Sequence, residues 1–303
     1  MSADRAALAP PHALLGVVSA LRERGVRPSL IDARAEARAV DALGPLPMRA
    51  ALVGGEDAAA QGRAVRRLKE LGLGVVALAE AAHAEALLSS GADVVALSEA
   101  AAAEATWLLL ERGGAFGMHG LLERPLALEG LVYLDAAHTL VRVLPGQATE
   151  ASLAAYDLVN VRRYGDLAMQ ETGVRSFRPK LLRLGSPDLA WQRLLSWVVE
   201  ARIQHFHFAD ILLGKQAAAV HALADLFAAR GLPATWSIGI HAAEALDFEL
   251  ERLARGGLRQ VRLSGDVGLF ALVRTSSRLR AEGIEVRAPT AARRVAVSVL
   301  RGL

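Results

Sequence analysis

Short apolar runs alternate with amphipathic stretches along the first 114 residues. The apolar runs predict strands at residues 5–9, 29–32, 50–54, 75–78 and 93–97, and the amphipathic stretches predict helices at 12–24, 58–71, 81–89 and 100–111. Gly25 and Gly72 follow two of these helices, as glycine commonly does at a helix C-terminus. Strands that alternate with helices of this length are typical of a parallel sheet covered on both faces. We therefore predict a doubly wound, Rossmann-like α/β domain over residues 1–114.

The pattern changes between residues 115 and 157, and the alternation then resumes. Residues 131–134 and 140–143 are apolar runs that are predicted to pair as a hairpin, and residues 145–157 have the composition of a loop with a short helix. Later strands are predicted at 205–208, 235–240, 260–263 and 285–287, with helices at 189–202, 216–230, 243–254 and 268–282. Four consecutive βα units indicate part of a (β/α) barrel, or a second open sheet. The interpretation is a connector over 115–157 and a partial barrel over 158–303.

Composition fits a globular protein and argues against several classes of function. Apolar residues make up 53% of the 303 residues, and no uncharged apolar run reaches the roughly 18 to 20 residues that a membrane span needs. The first eleven residues lack the basic stretch and long apolar core of a secretory signal, so we expect a cytoplasmic protein. The net charge is +3. Because arginines are interspersed with acidic residues rather than clustered with aromatics, nucleic-acid binding is not expected.

Cysteine is absent from the sequence. Within these 303 residues there is accordingly no disulfide, no thiolate nucleophile, no zinc–cysteine site and no cysteine ligand for an iron–sulfur cluster. The glycine-rich dinucleotide pattern, the P-loop and the Gly-x-Ser-x-Gly pattern are missing too. The absence of cysteine is the most informative single property of the sequence.

Several segments, taken in order, resemble the cobalamin-binding class of radical SAM proteins. Pro10-Pro11 precedes the first helix, the next predicted strand ends at Asp32, and residues 91–99 (GADVVALSE) are similar to the family's fifth strand. Ser186-Pro187-Asp188, the following helix and the strand that ends at Asp210 resemble the region of the family's second barrel strand. The resemblance implies a cobalamin-binding N-terminal domain followed by a partial radical SAM barrel.

The cysteines that define radical SAM chemistry are missing from this pattern. In the family, three cysteines on the loop after the first barrel strand hold a four-iron cluster. By position this loop is expected within residues 161–175, where the family register places Gly165, Met169 and Thr172. None of these side chains is a cluster ligand. The resemblance is therefore to a degenerate member without an iron–sulfur cluster, in which cleavage of SAM is not expected.

The cobalamin site implied by the resemblance is altered as well. In the family a Gly-Gly pair follows the fourth strand, because only glycine lets the nucleotide tail of the cofactor approach the backbone closely. This chain has residues 79–83 (AEAAH) at that place, while Gly54-Gly55 follows the third strand and could compensate. Retention of cobalamin stays open. The candidate cofactor-binding residues are Pro10, Pro11, His12, Asp32, Gly54, Gly55, His83, Ser98 and Glu99.

Histidines in the second half are the candidate catalytic residues. His205 and His207 alternate on one face of a predicted strand, Asp210 follows at its end, and His241 follows the next strand. Two imidazoles with a nearby carboxylate could bind zinc or iron. Histidines that line a substrate cavity or pack in the core fit the same pattern, so no metal ligand is assigned.

Two further pairs of residues leave alternatives open. Arg262 and Arg287 alternate with apolar neighbours in their strands, which fits an anionic small-molecule ligand if they are buried and solvent exposure if they face outward. Trp191 and Trp197 lie six residues apart on one predicted helix, so one is expected in the core while the other could mark an interface.

Three hypotheses from different classes follow. The first is a non-catalytic accessory protein that pairs with an active homologous radical SAM partner or holds its substrate. The second is a cobalamin-binding protein, or a methyltransferase-type enzyme, that works without SAM radicals. The third is an enzyme with repurposed barrel chemistry at His205, His207, Asp210 and His241. A homodimer or heterodimer is plausible, because a partial barrel leaves a sheet edge to cover.

Overall fold

The computed structural model describes residues 10–31, 50–55, 57–112, 129–134, 137–143, 154–265 and 269–287. The chain divides into two compact units, one of residues 11–159 and one of residues 160–303 together with 1–10. The described part of each unit contains one five-stranded sheet. No helix within the described ranges is long and apolar enough to cross a membrane.

The first unit alternates helices and strands and ends in a hairpin. Its elements are α1 (His12–Glu23), β1 (Ala50–Gly54), α2 (Ala58–Glu70), β2 (Gly74–Leu78), α3 (Ala84–Ser89), β3 (Val94–Ala96), α4 (Glu99–Arg112), β4 (Leu131–Leu134) and β5 (Leu140–Val143). Strands β1, β2 and β3 are parallel neighbours whose last residues, Gly54, Leu78 and Ala96, pair in register. The carboxyl ends of these three strands therefore lie at one edge of the sheet.

Helices cover both faces of this first sheet. Side chains of α1 and α4 form one buried cluster with Val76 and Val94. Side chains of α2 and α3 form a second cluster with Val75 and Val95. Because successive strand residues point to opposite faces, the two clusters lie on opposite sides of the sheet. The prediction of an α/β sheet covered on both faces is confirmed.

The prediction that this sheet is all parallel is wrong, because the sheet is mixed. Strand β4 pairs antiparallel with β3, and β5 pairs antiparallel with β4. The predicted hairpin of residues 131–134 and 140–143 thus forms, but it extends the first sheet. Leu131, Val132 and Tyr133 are at most 1% exposed, so burial of this apolar strand beside β3 drives the pairing. The short connection between β4 and β5 suits an antiparallel pair.

Residues 29–31 do not form the strand predicted at 29–32. Their side chains alternate between exposed and half-buried, and they pair with none of the described strands. Sheet structure needs partner strands for stability, so a short apolar alternation alone does not make a strand. Asp32 and the strand predicted at residues 5–9 lie outside the described residues.

The second unit contains a parallel sheet whose strands follow one another in chain order. Its elements are α5 (Val161–Thr172), β6 (Ser176–Phe177), α6 (Pro187–Ala201), β7 (His205–Leu212), α7 (Ala217–Arg230), β8 (Thr235–His241), α8 (Leu250–Arg255), β9 (Leu258–Ser264), α9 (Leu269–Ala281) and β10 (Glu285–Arg287). Every neighbouring pair of strands is parallel. Crossovers of one hand between sequential strands put the connecting helices on one face. Closure of this sheet as a partial barrel stays a prediction.

The segment expected to carry the cluster loop is a helix. Residues 161–172 form α5, with Val161, Tyr164 and Ala168 buried along one side. The side chain of Asn160 accepts a hydrogen bond from the N–H of Arg163, and so begins the helix. The first strand of the second sheet, β6, comes after this helix, so the position of the loop was predicted wrongly. The segment that follows the first strand is residues 178–186.

Both tryptophans of α6 are core residues. Trp191 is 6% exposed and Trp197 is 8% exposed. Trp191 packs against Phe227 of α7, and Trp197 packs edge-on against Phe177 of β6. The interpretation that one of them marks an interface is wrong, because both rings are buried.

Candidate functional site

The side chains of strand β7 alternate between a buried side of the second sheet and an accessible one. Phe206 and Phe208 are at most 3% exposed, whereas His205 and His207 between them are half-buried. The two imidazole ring centroids lie 4.3 Å apart. We call the side that carries His205, His207 and their register partners Thr235 and Ser237 the open face. The structure thus brings the two predicted histidines together on one surface.

A series of hydrogen bonds joins β7 to β8 across the open face. His205 Nδ1 lies 2.7 Å from the hydroxyl oxygen of Thr235, and His205 Nε2 lies 3.2 Å from Oγ of Ser237. Oγ of Ser237 also lies 2.7 Å from Nδ1 of His207. A serine hydroxyl donates one hydrogen bond and accepts two, so Ser237 can hydrogen-bond to both rings. The described residues leave Nε2 of His207 without a hydrogen-bond partner.

Both histidines are neutral near pH 7. Burial lowers the pKa of His205 from 6.5 to about 4, with a further contribution from the charge of Arg287. Burial also lowers the pKa of His207 to about 3, helped by His205 and by the charges of Arg178, Arg287 and Arg262. A neutral imidazole both donates and accepts a hydrogen bond. The pair is therefore suited to hydrogen bonding rather than to carrying charge.

Asp210 does not join the histidine pair. Its carboxylate accepts hydrogen bonds from the N–H of Leu181, at 2.5 Å, and from the N–H of Leu182, at 3.4 Å. Asp210 is 8% exposed, and burial raises its pKa although the backbone bonds oppose this. The alternation along β7 puts Asp210 on the side of Phe206 and Phe208. Its role in the structure is to hold the segment 178–186 that follows β6.

His241 lies on the open face but further along β8, at its carboxyl end. Its Nδ1 is buried and has no hydrogen-bond partner among the described residues. A Cβ on Gly265 would stand 2.5 Å from Nε2 of His241, so glycine at that position, with φ +88°, makes room for the ring. Within the described ranges, no three histidine or carboxylate side chains are placed to hold a metal ion. The zinc or iron alternative for His205, His207, Asp210 and His241 gains no support.

Thr235 and Ser237, which fix the two histidines, were not among the predicted site residues. A signal for them exists, since polar or small residues alternate with apolar ones along residues 235–241, TWSIGIH. This alternation matches that of the histidine strand. Because the pairing register of β7 and β8 sets which residues meet, the contact itself could not be read from either strand alone.

The first sheet brings several of the predicted cofactor residues to the carboxyl edge of its parallel strands. Gly54 ends β1, with Gly55 next to it. His83 is half-buried after β2, and Ser98 and Glu99 follow β3. Oγ of Ser98 accepts a hydrogen bond from the N–H of Ala101, so this side chain caps α4.

The residues at the start of α1 have structural contacts of their own. Nδ1 of His12 lies 3.1 Å from the hydroxyl oxygen of Tyr156, and the two rings pack edge to face. The carbonyl of Pro11 accepts a hydrogen bond from Leu15 as the helix begins. Pro10 is buried, and Asp32 lies outside the described residues. His12 is therefore partnered by Tyr156. The sequence pattern did not predict this contact.

The described residues at this edge do not fit the nucleotide tail of cobalamin. A Cβ on Gly54 would stand 2.7 Å from Cδ2 of Leu14, so the space beside this glycine already holds a leucine side chain. After β2, a short 3₁₀ turn over Ala81–His83 follows the exposed Glu80. A carboxylate beside a phosphate is unfavourable. Gly54 thus offers no open backbone in place of the missing glycines, and of this pair Gly55 alone is exposed.

Comparison with known proteins identifies the fold. No protein-family model matches the sequence, and a search of curated proteins gives no match. Eight chains among solved structures do match. One is the radical SAM methyltransferase TsrM from Kitasatospora setae with cobalamin and a [4Fe-4S] cluster bound, with a TM-score of 0.61 and 14% identity over 93% of this chain and 66% of that chain.

A second structure of TsrM from Kitasatospora setae, with tryptophan substrate and the SAM analogue aza-SAM bound, matches in the same way. Its TM-score is 0.63 and its identity 13%, over 93% of this chain and 64% of that chain. The chain spans about two thirds of the length of these methyltransferases. The chain thus has the α/β fold of a cobalamin-binding radical SAM methyltransferase, as the resemblance implied, and it has no cysteine with which to hold an iron–sulfur cluster.

Proposed function

We propose that this protein is a degenerate relative of radical SAM methyltransferases that holds a small molecule on the open face of its second sheet and does not cleave SAM. The observation that carries the proposal is the hydrogen-bond series from Thr235 through His205 and Ser237 to His207. It fixes the His207 ring and leaves Nε2 of that ring on a half-buried polar surface. A few fixed polar groups in a partly enclosed site are typical of small-molecule binding.

The pKa values of the two histidines favour binding over acid–base catalysis. A general base works best with a pKa near the operating pH. Burial instead lowers the pKa of His205 to about 4 and that of His207 to about 3. Asp210, which could have raised them, binds backbone N–H groups on the other side of β7. The hypothesis of a repurposed barrel enzyme is therefore less well supported than that of a holding protein.

The residues after the first strand of the second sheet support the proposed absence of radical chemistry. Residues 178–186, RPKLLRLGS, contain no side chain that binds iron through sulfur. The segment is also held in place by the Asp210 carboxylate. Cysteine ligands for a cluster would have to come from outside these 303 residues.

Anaerobic incubation with iron, sulfide, dithionite and SAM tests the absence of radical chemistry. We expect no bound iron–sulfur chromophore and no 5′-deoxyadenosine above the level of a protein-free control. An intact cysteine-containing homologue, treated identically, is the positive control. Formation of 5′-deoxyadenosine by this chain alone would overturn the proposal.

Native mass spectrometry tests the holding role. Protein purified gently from its source cells is expected to carry a small molecule of defined mass. His207→Asn should lose this molecule, because Nε2 disappears from the open face. His138→Asn is the matched control, since His138 is exposed and has a φ of +57° that asparagine tolerates. Equal retention by both variants would contradict the proposal.

An accessory role beside a cysteine-containing homologue is the finer form of this proposal. Leu195 and Val199, four residues apart on α6, expose apolar side chains, and Val199 is 69% exposed. Exposed apolar neighbours at this spacing suit a protein contact. Co-expression with an intact homologue should give a complex on gel filtration, and Val199→Glu should weaken it, whereas Glu200→Gln on the same helix should not. A monomer beside the intact homologue would refute the accessory role and leave the holding role in place.

A further inference from the structure

The open face extends from the histidines on β7 to the last strand of the second sheet. The pairing register aligns His207 with Ser237, Ser237 with Gln260, and Gln260 with Glu285. One layer further towards the carboxyl ends, it aligns Gly239 with Arg262, and Arg262 with Arg287. Because register partners in adjacent strands point to the same side, Arg262 and Arg287 share the open face with His207.

Arg262 and Arg287 are register partners on adjacent strands. Neighbouring strands lie about 4.8 Å apart, and like charges directly opposite each other destabilise a sheet. Arg287 has a partner in Glu285, at 3.6 Å between Nε and Oε1, but both side chains are largely exposed. Arg262 is exposed and makes no ion pair with any described residue. The charge of this pair is thus poorly compensated.

The side chain of Arg262 leans towards the histidines. One of its terminal nitrogens lies 3.6 Å from the point where a Cβ on Gly239 would stand. Glycine at this position leaves the surface of β8 clear between Arg262 and the histidine strand. The guanidinium group therefore borders the same surface as Nε2 of His207.

Among the described residues, the charged groups that lower the pKa of His207 include three arginines. Arg178, which follows β6, Arg262 and Arg287 each disfavour a proton on that ring. Among the described strand residues of the open face, Glu285 is the one carboxylate, and Gln260 already donates a hydrogen bond to it at 2.8 Å. The guanidinium groups of Arg262 and Arg287 are exposed, and excess positive charge on a protein surface attracts anions.

We propose that the open face binds a small anionic molecule whose carboxylate or phosphate group lies between Arg262 and Arg287, while Nε2 of His207 hydrogen-bonds to the rest of that molecule. This rests on the proposed function, and it adds the chemical class of the ligand. A guanidinium group pairs with carboxylate or phosphate through two parallel hydrogen bonds. A neutral imidazole beside it recognises a hydroxyl or carbonyl without repelling the positive surroundings.

Titration of the full chain with two anions tests the inference. Inorganic pyrophosphate and citrate are the probes, followed by calorimetry and by NMR of histidine ring signals at pH 7.5. Either anion should shift the signals of His207 and should bind at least about tenfold more weakly to Arg262→Gln, because a charge-assisted pair is lost. Arg274→Gln, on the exposed surface of α9, is the charge-matched control and should bind like the wild type. Arg287→Gln is the second variant, in case the first is poorly folded.

The outcomes separate this inference from the proposed function. A response to pyrophosphate alone identifies a phosphate ligand, and a response to citrate alone identifies a carboxylate ligand, and both support the inference. Absence of any shift at His207, or equal binding by Arg262→Gln and the wild type, overturns it. If native mass spectrometry then finds an uncharged molecule that His207→Asn loses, the holding role stands without the anion. If native mass spectrometry finds no bound molecule, both this inference and the proposed holding role are refuted.

Discussion

Nδ1 of His207 and Oγ of Ser237 lie 2.7 Å apart, across the pairing of β7 with β8. The same hydroxyl lies 3.2 Å from Nε2 of His205. One serine from the neighbouring strand therefore orients both histidine rings. Because the hydroxyl belongs to a residue that is 6% exposed, water has little access to replace it.

Ser237→Ala should destabilise the protein and free both rings. Removal of the hydroxyl leaves nitrogen atoms of two half-buried imidazoles without a partner, and an unsatisfied buried polar group costs about 1 to 3 kcal/mol. Urea unfolding measures this loss, and NMR of the histidine rings should show altered signals for His205 and His207 alone. Ser277→Ala, at an exposed position of α9, should change neither. Unchanged ring signals in Ser237→Ala would refute the role assigned to Ser237.

The stability of the fold should fall in mild acid because of the histidine pair. Burial lowers the pKa of His205 to about 4 and of His207 to about 3, so below pH 6.5 the unfolded chain takes up protons that the folded chain does not. The contribution of the two neutral histidines to the free energy of unfolding is complete above pH 6.5. It is lost as the pH falls towards 4 and then 3. At pH 5 the loss of unfolding free energy amounts to about 2 kcal/mol for each histidine taken alone.

Urea unfolding of the wild type and of His205→Asn/His207→Asn, at pH 8 and at pH 5, measures this dependence. The double variant should lose less stability between the two pH values than the wild type. His138→Asn is the control, and it should keep the full dependence because His138 is exposed. Identical losses in the double variant and the wild type would show that the two rings are solvated in the folded state.

The elements of the fold could be predicted from the sequence because they depend on local patterns. β1 forms at residues 50–54 and the hairpin at 131–134 and 140–143, as the apolar runs indicated. The place of the hairpin within the first sheet could not be predicted, since it depends on which strand edge remains uncovered. Likewise, the apolar run at 29–31 satisfied the local pattern and yet pairs with none of the described strands.

In the candidate site, too, local pattern predicts some features and does not predict the tertiary contacts. Alternation along β7 sufficed to place His205 and His207 on one face. Asp210 was predicted to join them, but it lies on the other face, where its carboxylate accepts hydrogen bonds from the N–H groups of Leu181 and Leu182, about thirty positions earlier. Contacts of this kind depend on how a loop folds back onto the sheet, which local pattern does not encode.

Asp210→Ala should destabilise the second unit by about 2 kcal/mol or more. The change removes a buried acceptor and leaves the N–H of Leu181 without its partner, which carries the cost of an unmade hydrogen bond. Urea unfolding and amide hydrogen exchange measure the effect, with exchange rising first at Leu181 and Leu182. Asp188→Ala is the control, because its ion pair with Arg230 is exposed and worth less than about 1 kcal/mol. Equal effects of the two substitutions would show that Asp210 does not hold the 178–186 segment.

Cobalamin should not bind stably to this chain. Leu14 occupies the space beside Gly54, and Glu80 stands in the segment where the family has a glycine pair, so a phosphate-bearing nucleotide tail meets a side chain and a negative charge. Incubation with hydroxocobalamin, gel filtration and a visible absorption spectrum test this directly. An intact cobalamin-binding radical SAM protein is the positive control, and the present protein should elute colourless. Corrin bands that travel with the protein would show that the first sheet retains a working site, and would favour a cobalamin-dependent function that needs no SAM radical.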